Sequence, residues 1–518
     1  MSLQGPSMSK ADEGEKRQCP GERYEISLAI CRARQANRYP KCLLCTHQAA
    51  PVGEGQAGDP KIKDAIFRTT CIAGRVPSEI NEYVVRKIGT AAAQFLRAES
   101  RSVTSIIVAC DLRENSRNLS RVFCEGANVG GLRTVNIGAA PPEVLRFALA
   151  SRKLGAAALI SGCHAAENVN GIRLYRHNGV PVTHESGLDK VGLIARQVNP
   201  VGTRAQGQRE TMNPLEAYRS YVLKFASRLE PFKVVVDASS GIAGSVAQHV
   251  FERLPVKVVG THWDADGRSK LLGQHFPPAE VQQALLSAVR SNDARLGAAV
   301  DFDGDVVVFC DEQGSLLRND VAAALIAGEM LARTPGARVA YDLRFTGAVR
   351  EDILRAGGQA LRCRTDPIQL AQAMRQNEAI YGADFMGRHF FRDMFGSESP
   401  VLALLMMCSA LSRGQEPLSK LAAGICRYSY SGELRYELAS DETAEQVVQE
   451  VKGAFRAARQ DALDGLTCRL PTWWFNLRHL SGSSSLRLTI EGKTPSDERR
   501  GRYMLEQIVQ RRQKKPAA

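Results

Sequence analysis

The chain is predicted to be an α/β protein of four domains, three α/β units followed by a smaller α+β unit, behind a Cys-containing N-terminal extension. Three observations predict it. From about residue 60 onward, short runs of small or β-branched apolar residues alternate with helical stretches, the pattern of parallel βαβ units. That strand-and-helix unit recurs along the chain instead of appearing once. The 518 residues also exceed what one core carries, since single cores rarely grow past about 250–300 residues.

Residues 1–59 stand apart as a flexible extension, rich in Gly, Pro, Gln and Arg and ending in AAPVGEGQAGD. In the first domain, 60–205, Val103 to Cys110 reads as a strand and Leu119 to Gly131 as a helix. Thr134 to Ile137 is a second strand, Glu143 to Leu154 a second helix, and Ala156 to Ile160 a short buried strand leading into a loop at Cys163. The second domain, 206–318, opens clearly at the strand Phe232 to Asp237, whose turn ASSGIAG carries two glycines. The third, 319–426, offers strands Ala337 to Leu343 and Gln359 to Cys363, a helix Val349 to Ala356, and a helix Pro400 to Leu411. The fourth, 427–518, has a strand at Leu434 to Leu438, a helix Thr443 to Arg459, and strands around Trp474 and Leu486.

The most informative residues close the second domain. Asp301, Asp303 and Asp305 alternate in the run DFDGD between two apolar stretches, LGAAV and VVVF. This is a tight turn between strands with three carboxylates facing one point, a hard-oxygen set suited to Mg²⁺. Asp and Gly also make ordinary polar turns, but three like charges in five positions repel, which a turn alone does not require.

That run, with the VVVFCDEQG stretch directly after it, resembles the metal loop of the α-D-phosphohexomutases, the phosphomannomutase and phosphoglucomutase family. Three more stretches are similar to motifs of that family, in its order. LISGCHAAENVNGIRLY, from Leu159 to Tyr175, resembles the phosphoserine loop; YGADFMGRHFFRD, from Tyr381, the sugar loop; and WFNLRHLSGSSSLRL, from Trp474, the C-terminal phosphate loop. Four motifs in one order carry the fold where any one would be weak. The resemblance implies a four-domain architecture with a central cleft. It also implies movement of a phosphoryl group between two hydroxyls of a hexose, with Mg²⁺ as cofactor and a hexose phosphate as partner.

Residue by residue, the resemblance puts Cys163 and His164 at the catalytic positions and Asp301, Asp303 and Asp305 on the metal. Asp384 and Arg388 fall at the sugar, and Arg478, Ser481 and Ser483 at the phosphate. The departures are as telling. Cys163 stands where the phosphorylated Ser belongs: a thiolate is a competent nucleophile, and an unmodified thiol is the alternative. Val306 and Ala73 occupy positions where the family has Arg. In RTDP, from Arg364, a His is missing, and Met386 stands for a Ser. The serines near 481 can cradle phosphate or simply turn the chain. The expectation is a metal-binding but catalytically impaired relative; the alternative is an active mutase that uses Cys163.

Composition narrows the remaining classes. The 44% hydrophobic and 24% charged fractions are those of a globular protein. No apolar run approaches the roughly 20 residues that span a bilayer, and the N-terminus lacks a signal-peptide core, so the expected location is the cytoplasm with no membrane partner. The 13 cysteines are then expected as thiols or metal ligands. Cys19, Cys31, Cys42 and Cys45 are candidates for a tetrahedral Zn²⁺. Only the last two form a CxxC pair, so free thiols in an arm remain the alternative. The extension is also where a protein partner would dock. The net charge of +13 and the basic end RRQKK have no nucleic-acid module beside them, so nucleic acid is not an expected partner.

Overall fold

The computed structural model of the protein describes residues 16–18, 25–27, 61–199, 207–226, 229–265, 272–480 and 482–512. The chain divides into two units, Met1–Lys61 and Ile62–Ala518. In the first unit two short strands, β1 (Lys16–Gln18) and β2 (Glu25–Ser27), pair antiparallel. Cys19, Cys31, Cys42 and Cys45, the candidate zinc ligands, lie outside the described residues.

The second unit carries four sheets among the described residues. The first runs through β3 (Ile72–Arg75), α1 (Glu82–Glu99), β4 (Ser105–Cys110), α2 (Ser116–Val129), β5 (Arg133–Ala139), α3 (Pro142–Ser151), β6 (Ala156–Ile160), β7 (Val169–Arg176), α4 (Asp189–Gln197) and β8 (Arg209–Thr211). Its order is β3-β7-β6-β4-β5-β8. Strands linked by helices pair in parallel, whereas β7, reached from β6 by a loop, turns back antiparallel. The second sheet, β10-β9-β11-β12, comes after α5 (Leu215–Val222) and comprises β9 (Lys233–Asp237), α6 (Ala243–Phe251), β10 (Lys257–Thr261), α7 (Ala279–Ser291), β11 (Leu296–Val300) and β12 (Val307–Asp311).

The third is built from α8 (Asn319–Arg333), β13 (Arg338–Asp342), α9 (Gly347–Arg355), β14 (Gln359–Cys363), α10 (Pro367–Gln376), β15 (Tyr381–Ala383), β16 (His389–Phe391), β17 (Ser397–Glu398), α11 (Pro400–Gly414) and α12 (Leu418–Ile425), in the order β14-β13-β15-β16-β17. The last sheet is wholly antiparallel, β18-β22-β21-β20-β19. It is made of β18 (Ser429–Glu437), α13 (Asp441–Ala454), β19 (Arg459–Asp461), β20 (Leu466–Arg469), β21 (Trp473–His479), β22 (Ser485–Gly492) and α14 (Pro495–Gln510).

Three α/β sheets and a β-rich final domain match the predicted class. Some elements differ from the sequence reading. The helix expected to run to Arg459 stops at Ala454, just past Gly453, and Arg459 opens a strand; glycine costs a helix about 1 kcal/mol relative to alanine. The 18-residue α1 has no counterpart in the sequence reading, although Asn81 caps it by accepting from the Val84 N–H.

One hydrophobic core joins the first three sheets. At its centre, α11 is buried from Pro400 to Ser412, as a helix apolar on every face must be. It packs on α8 and α6. A buried carboxyl locks its entry. Glu143 on α3 accepts from the Tyr218 hydroxyl at 2.6 Å and from the Ser399 hydroxyl that caps α11, and its other oxygen has no partner. Among the described residues no helix is long and apolar enough to cross a membrane.

Burial raises the Glu143 carboxyl to about 7, because desolvation penalises the charged form. A native value above the unfolded one means the group's contribution is fully present below the unfolded value of about 4.3 and is lost as pH rises through 7. The predicted loss at high pH is on the order of 3 kcal/mol. Urea unfolding across pH 4.5–8 should show this decline, and Glu143→Gln should flatten it. An unchanged slope in the variant would remove the assignment.

Candidate functional site

The DFDGD run forms the turn of the antiparallel β11–β12 hairpin. The turn folds on its own first carboxylate: Asp301 Oδ1 accepts from the N–H of Asp305 at 2.9 Å and of Val306 at 2.8 Å. Gly304 has φ +74°, and a Cβ there would stand 2.9 Å from the Pro141 side chain, so conformation and space both require glycine. All three carboxylates are buried, and they converge on the imidazole of His164. Its Nδ1 lies 3.2 Å from Asp301 Oδ2 and 3.2 Å from Asp303 Oδ2, and its Nε2 is 3.2 Å from Asp305 Oδ1.

That arrangement sets the electrostatics. Desolvation works against a charge on His164, but Asp305, Asp301 and Asp303 outweigh it and hold the ring protonated well above the ordinary histidine range. Burial likewise opposes ionisation of Asp305, yet His164, Arg388 and Arg173 keep it well below the carboxylate range. Asp301, which has no arginine partner, is raised by burial and by Asp305. Asp301 and Asp305, four residues apart in one turn, are thereby made unequal.

The loop after β6 brings His164 there. Asp303 accepts from the Ser161 hydroxyl at 3.1 Å and from the His164 N–H at 2.6 Å, so the two loops are hydrogen-bonded to each other. Arg113 staples the loop from below. It bonds Asp111 at 3.0 Å and the carbonyls of Ala165 and Ala166, each at 2.9 Å. Only glycine fits at 162, because a Cβ would meet the guanidinium at 2.2 Å. Cys163 and His164 then take left-handed backbone, φ +54° and +61°, a strain of the kind found at functional turns. The Cys163 sulfur accepts from Arg173 Nε at 3.2 Å, and the same guanidinium holds Asp305 through Nη1 at 3.1 Å.

A cavity of about 390 Å³ opens beside these groups. Arg68, Arg146, Arg173, Arg375 and Arg388 line it, against Asp305 and Glu398. Arg173 is paired with Asp305 at 3.1 Å, Arg146 with Glu398 at 3.1 Å and Arg388 with Asp384 at 3.1 Å. Among the described residues Arg68 and Arg375 form no ion pair. Burial and the neighbouring Arg146 disfavour the Arg375 charge, so an anion arriving here would meet unspent cations.

The structure spreads the other predicted residues over several settings. Arg388 lines the cavity, its Nη2 3.5 Å from His164 Nε2. Asp384 is 1% exposed, and its oxygens are taken by the N–H groups of Met386 and Arg388 and by the Arg388 guanidinium; it shapes the turn and orients Arg388. Arg478 is held by Thr365 at 2.7 Å and by Glu433, which it shares with Arg344. Ser483 accepts from the Ser485 N–H within the β21–β22 turn, and Ser481 lies outside the described residues. In the RTDP stretch, Asp366 caps α10 by accepting from Gln369 N–H.

Sequence reasoning missed Arg113, Arg146, Arg173, Arg375 and Cys71. Only Arg173 left a local signal, as a charge between Ile172 and Leu174 in β7.

The carboxylate turn fits a hard cation. Asp301 Oδ2 and Asp305 Oδ1 are buried and accept no well-formed hydrogen bond, with a His164 nitrogen 3.2 Å from each. Ligand atoms of His164, Asp301 and Asp303 lie within 4.8 Å of one another. Carboxylate oxygens in this number suit Mg²⁺, and the protonated His164 must give way to it, since both demand the same oxygens.

Residues 64–195 match the family described as phosphoglucomutase/phosphomannomutase, alpha/beta/alpha domain I; residues 215–314 match domain II, and residues 318–428 domain III. A phosphomannomutase of Escherichia coli is 28% identical over 447 residues, covering 82% of this chain and 95% of that protein. Among solved structures, a phosphoglucomutase/phosphomannomutase family protein from Burkholderia thailandensis superposes with TM-score 0.76 at 24% identity, over 88% of this chain and 99% of that one. The N-acetylphosphoglucosamine mutase of Aspergillus fumigatus, in complex with GlcNAc-6P and magnesium, shares the fold at TM-score 0.54 and 11% identity, over 88% of this chain and 96% of that one.

If the turn takes Mg²⁺, millimolar Mg²⁺ should raise the melting temperature, with about 2.7 kcal/mol gained at a hundredfold excess over Kd. Asp303→Asn should abolish the response. Equal Mg²⁺ shifts in the two proteins would rule the turn out as the cation site.

Proposed function

Because the chain belongs to the alpha-D-phosphohexomutase family, we propose that it binds a hexose phosphate in the arginine-lined cavity, beside a divalent cation on the carboxylate turn. We further propose that it does not transfer phosphoryl through residue 163. The binding half rests on the cavity: five arginines face two carboxylates, and two of the five lack an ion pair among the described residues. Guanidinium groups in a partly desolvated cleft suit phosphate oxygens, which they grip through paired N–H donors.

The second half is carried by one observation. The sulfur of Cys163 is turned to Arg173 and Cys71, while the imidazole of the next residue stands among the carboxylates. Phosphoryl transfer needs its nucleophile and the cation on the same phosphoryl group. Here the residue that meets the carboxylates is a cation itself. Other supports are gone too. Val306 and Ala73 lie where family arginines would stand, and Arg478 is spent on Glu433. A single missing donor of this kind costs about 3 kcal/mol of transition-state stabilisation, so several together remove many powers of ten in rate.

A second reading has its own observation. Arg173 Nε lies 3.2 Å from the Cys163 sulfur inside the cavity, and a cation beside a thiol favours the nucleophilic thiolate. In that reading the protein is a mutase with a phosphocysteine intermediate, although Cys71 and burial together outweigh Arg173 and hold the Cys163 thiol well above the ordinary range.

The two are separated by turnover. The purified protein with Mg²⁺, bisphosphate activator and glucose 1-phosphate or mannose 1-phosphate should show no isomerisation. Mass spectrometry after glucose 1,6-bisphosphate should show no phosphocysteine. Calorimetry should still detect hexose phosphate binding, weakened at least tenfold by Arg388→Ala. Activity that vanishes in Cys163→Ala and persists in Cys426→Ala would establish the second reading instead. Cys426 is the suitable control because it is exposed, whereas Cys71 touches Cys163.

A further inference from the structure

Two thiols meet in the floor of the cavity. Cys71 precedes β3 and Cys163 comes after β6, and both strands pair with β7. The last β3–β7 pair is Ile72 with Ile172, so Cys71 lies one step further, level with Arg173. The Arg173 guanidinium contacts the Cys163 sulfur at 3.2 Å, so the two cysteines flank the same residue. Both line the same cavity, together with Arg68. We propose that Cys71 and Cys163 are a redox-active pair that a hydroperoxide entering the cavity converts to an intramolecular disulfide.

The chemistry closes without further reagents. The Cys71 sulfur attacks one peroxide oxygen, the O–O bond breaks, and water leaves a sulfenic acid behind. The Cys163 sulfur then attacks the Cys71 sulfur, the S–S bond forms, the S–O bond breaks, and a second water departs. The two thiols lose two electrons and two protons in all, and the peroxide takes both to become two waters. Attack on peroxide requires a thiolate that the peroxide can reach; Cys71 is 5% exposed and is reached through the cavity it lines. Cys71 alone among the described cysteines is drawn down, to about 7, by the Cys163 hydrogen bond, against burial, with help from Arg173 and Arg68. By contrast, burial pushes Cys110, Cys310 and Cys363 up to about 12. Their chemistry is that of core residues.

The pairing has a structural consequence. A disulfide would pin the start of β3 to the strained loop that carries His164, and would remove the thiol facing Arg173. Oxidation would then act on the loop that meets the carboxylate turn. Because the evidence for it is thiol chemistry, it stands or falls separately from any turnover.

The test uses the full chain, reduced, desalted and exposed to a few equivalents of hydrogen peroxide. The remaining thiols are alkylated and the protein is digested with trypsin without reduction. The expected product is peptide 69–75 joined to peptide 154–173, dissolved by dithiothreitol, with two of the 13 thiols lost. Cys71→Ser should leave Cys163 fully alkylated after peroxide. If Cys71 and Cys163 both remain alkylatable while other cysteines oxidise, the proposal fails. It also fails if either residue is found bridged to a different cysteine. The wild-type peptide map decides the matter even if the serine variant does not fold.

Discussion

Burying three carboxylates in one five-residue turn sets the condition that the rest of the site must meet. Unpaired buried charge costs several kcal/mol per group after relaxation, and no side chain of the turn itself is basic. Every compensating group therefore comes from elsewhere: His164 from the loop after β6, Arg173 from β7, and Arg388 from the hairpin of the third sheet. The backbone adds to it, through the His164 N–H on Asp303. The charge problem of one turn thus becomes the contact that joins three sheets at the cavity, with the shared core around α11 beneath them.

The same demand explains which arginines are committed and which are not. Arg388 is doubly engaged, with Asp384 at 3.1 Å and Asp305 at 4.0 Å, and Asp384 is consumed in aiming it. Arg478, in the final domain, is closed off by Glu433 and Thr365. Arg68 and Arg375 remain, and they face the cavity. A cleft that neutralises its own acids and still keeps unpaired guanidiniums is charged to receive an anion. That is a different statement from being arranged to transfer one.

Much of the fold is legible in the sequence because it depends on local periodicity. β6 can be read to the residue, and β4, β9 and β14 within two, since short apolar strands bounded by turns have few alternative readings. The DFDGD turn is legible for the same reason: the residues that fold it are the ones that define it. The site's cations are not. Arg146 lies on α3, in a stretch that reads as an ordinary helix, and Arg375 on α10, which the sequence reading does not mark; only the packing of the sheets brings them to one cavity. Asp384 misleads in the opposite direction. A carboxylate in a loop looks available, whereas its oxygens cap the turn that contains it. Cys71 is hidden because a single cysteine before a strand carries no signal until its neighbour across β7 is known.

Cys163 is best understood together with that neighbour. Taken alone, a thiol at this position is either a substitute nucleophile or a neutral replacement. With Cys71 in contact, it belongs to a pair that shares a proton and an adjacent guanidinium. His164, the next residue, meets the carboxylates at 3.2 Å from each. Arg173 joins the two settings, because one guanidinium bonds the Cys163 sulfur through Nε and Asp305 through Nη1. Whatever alters the charge on the sulfur therefore acts, through Arg173, on the carboxylate turn as well.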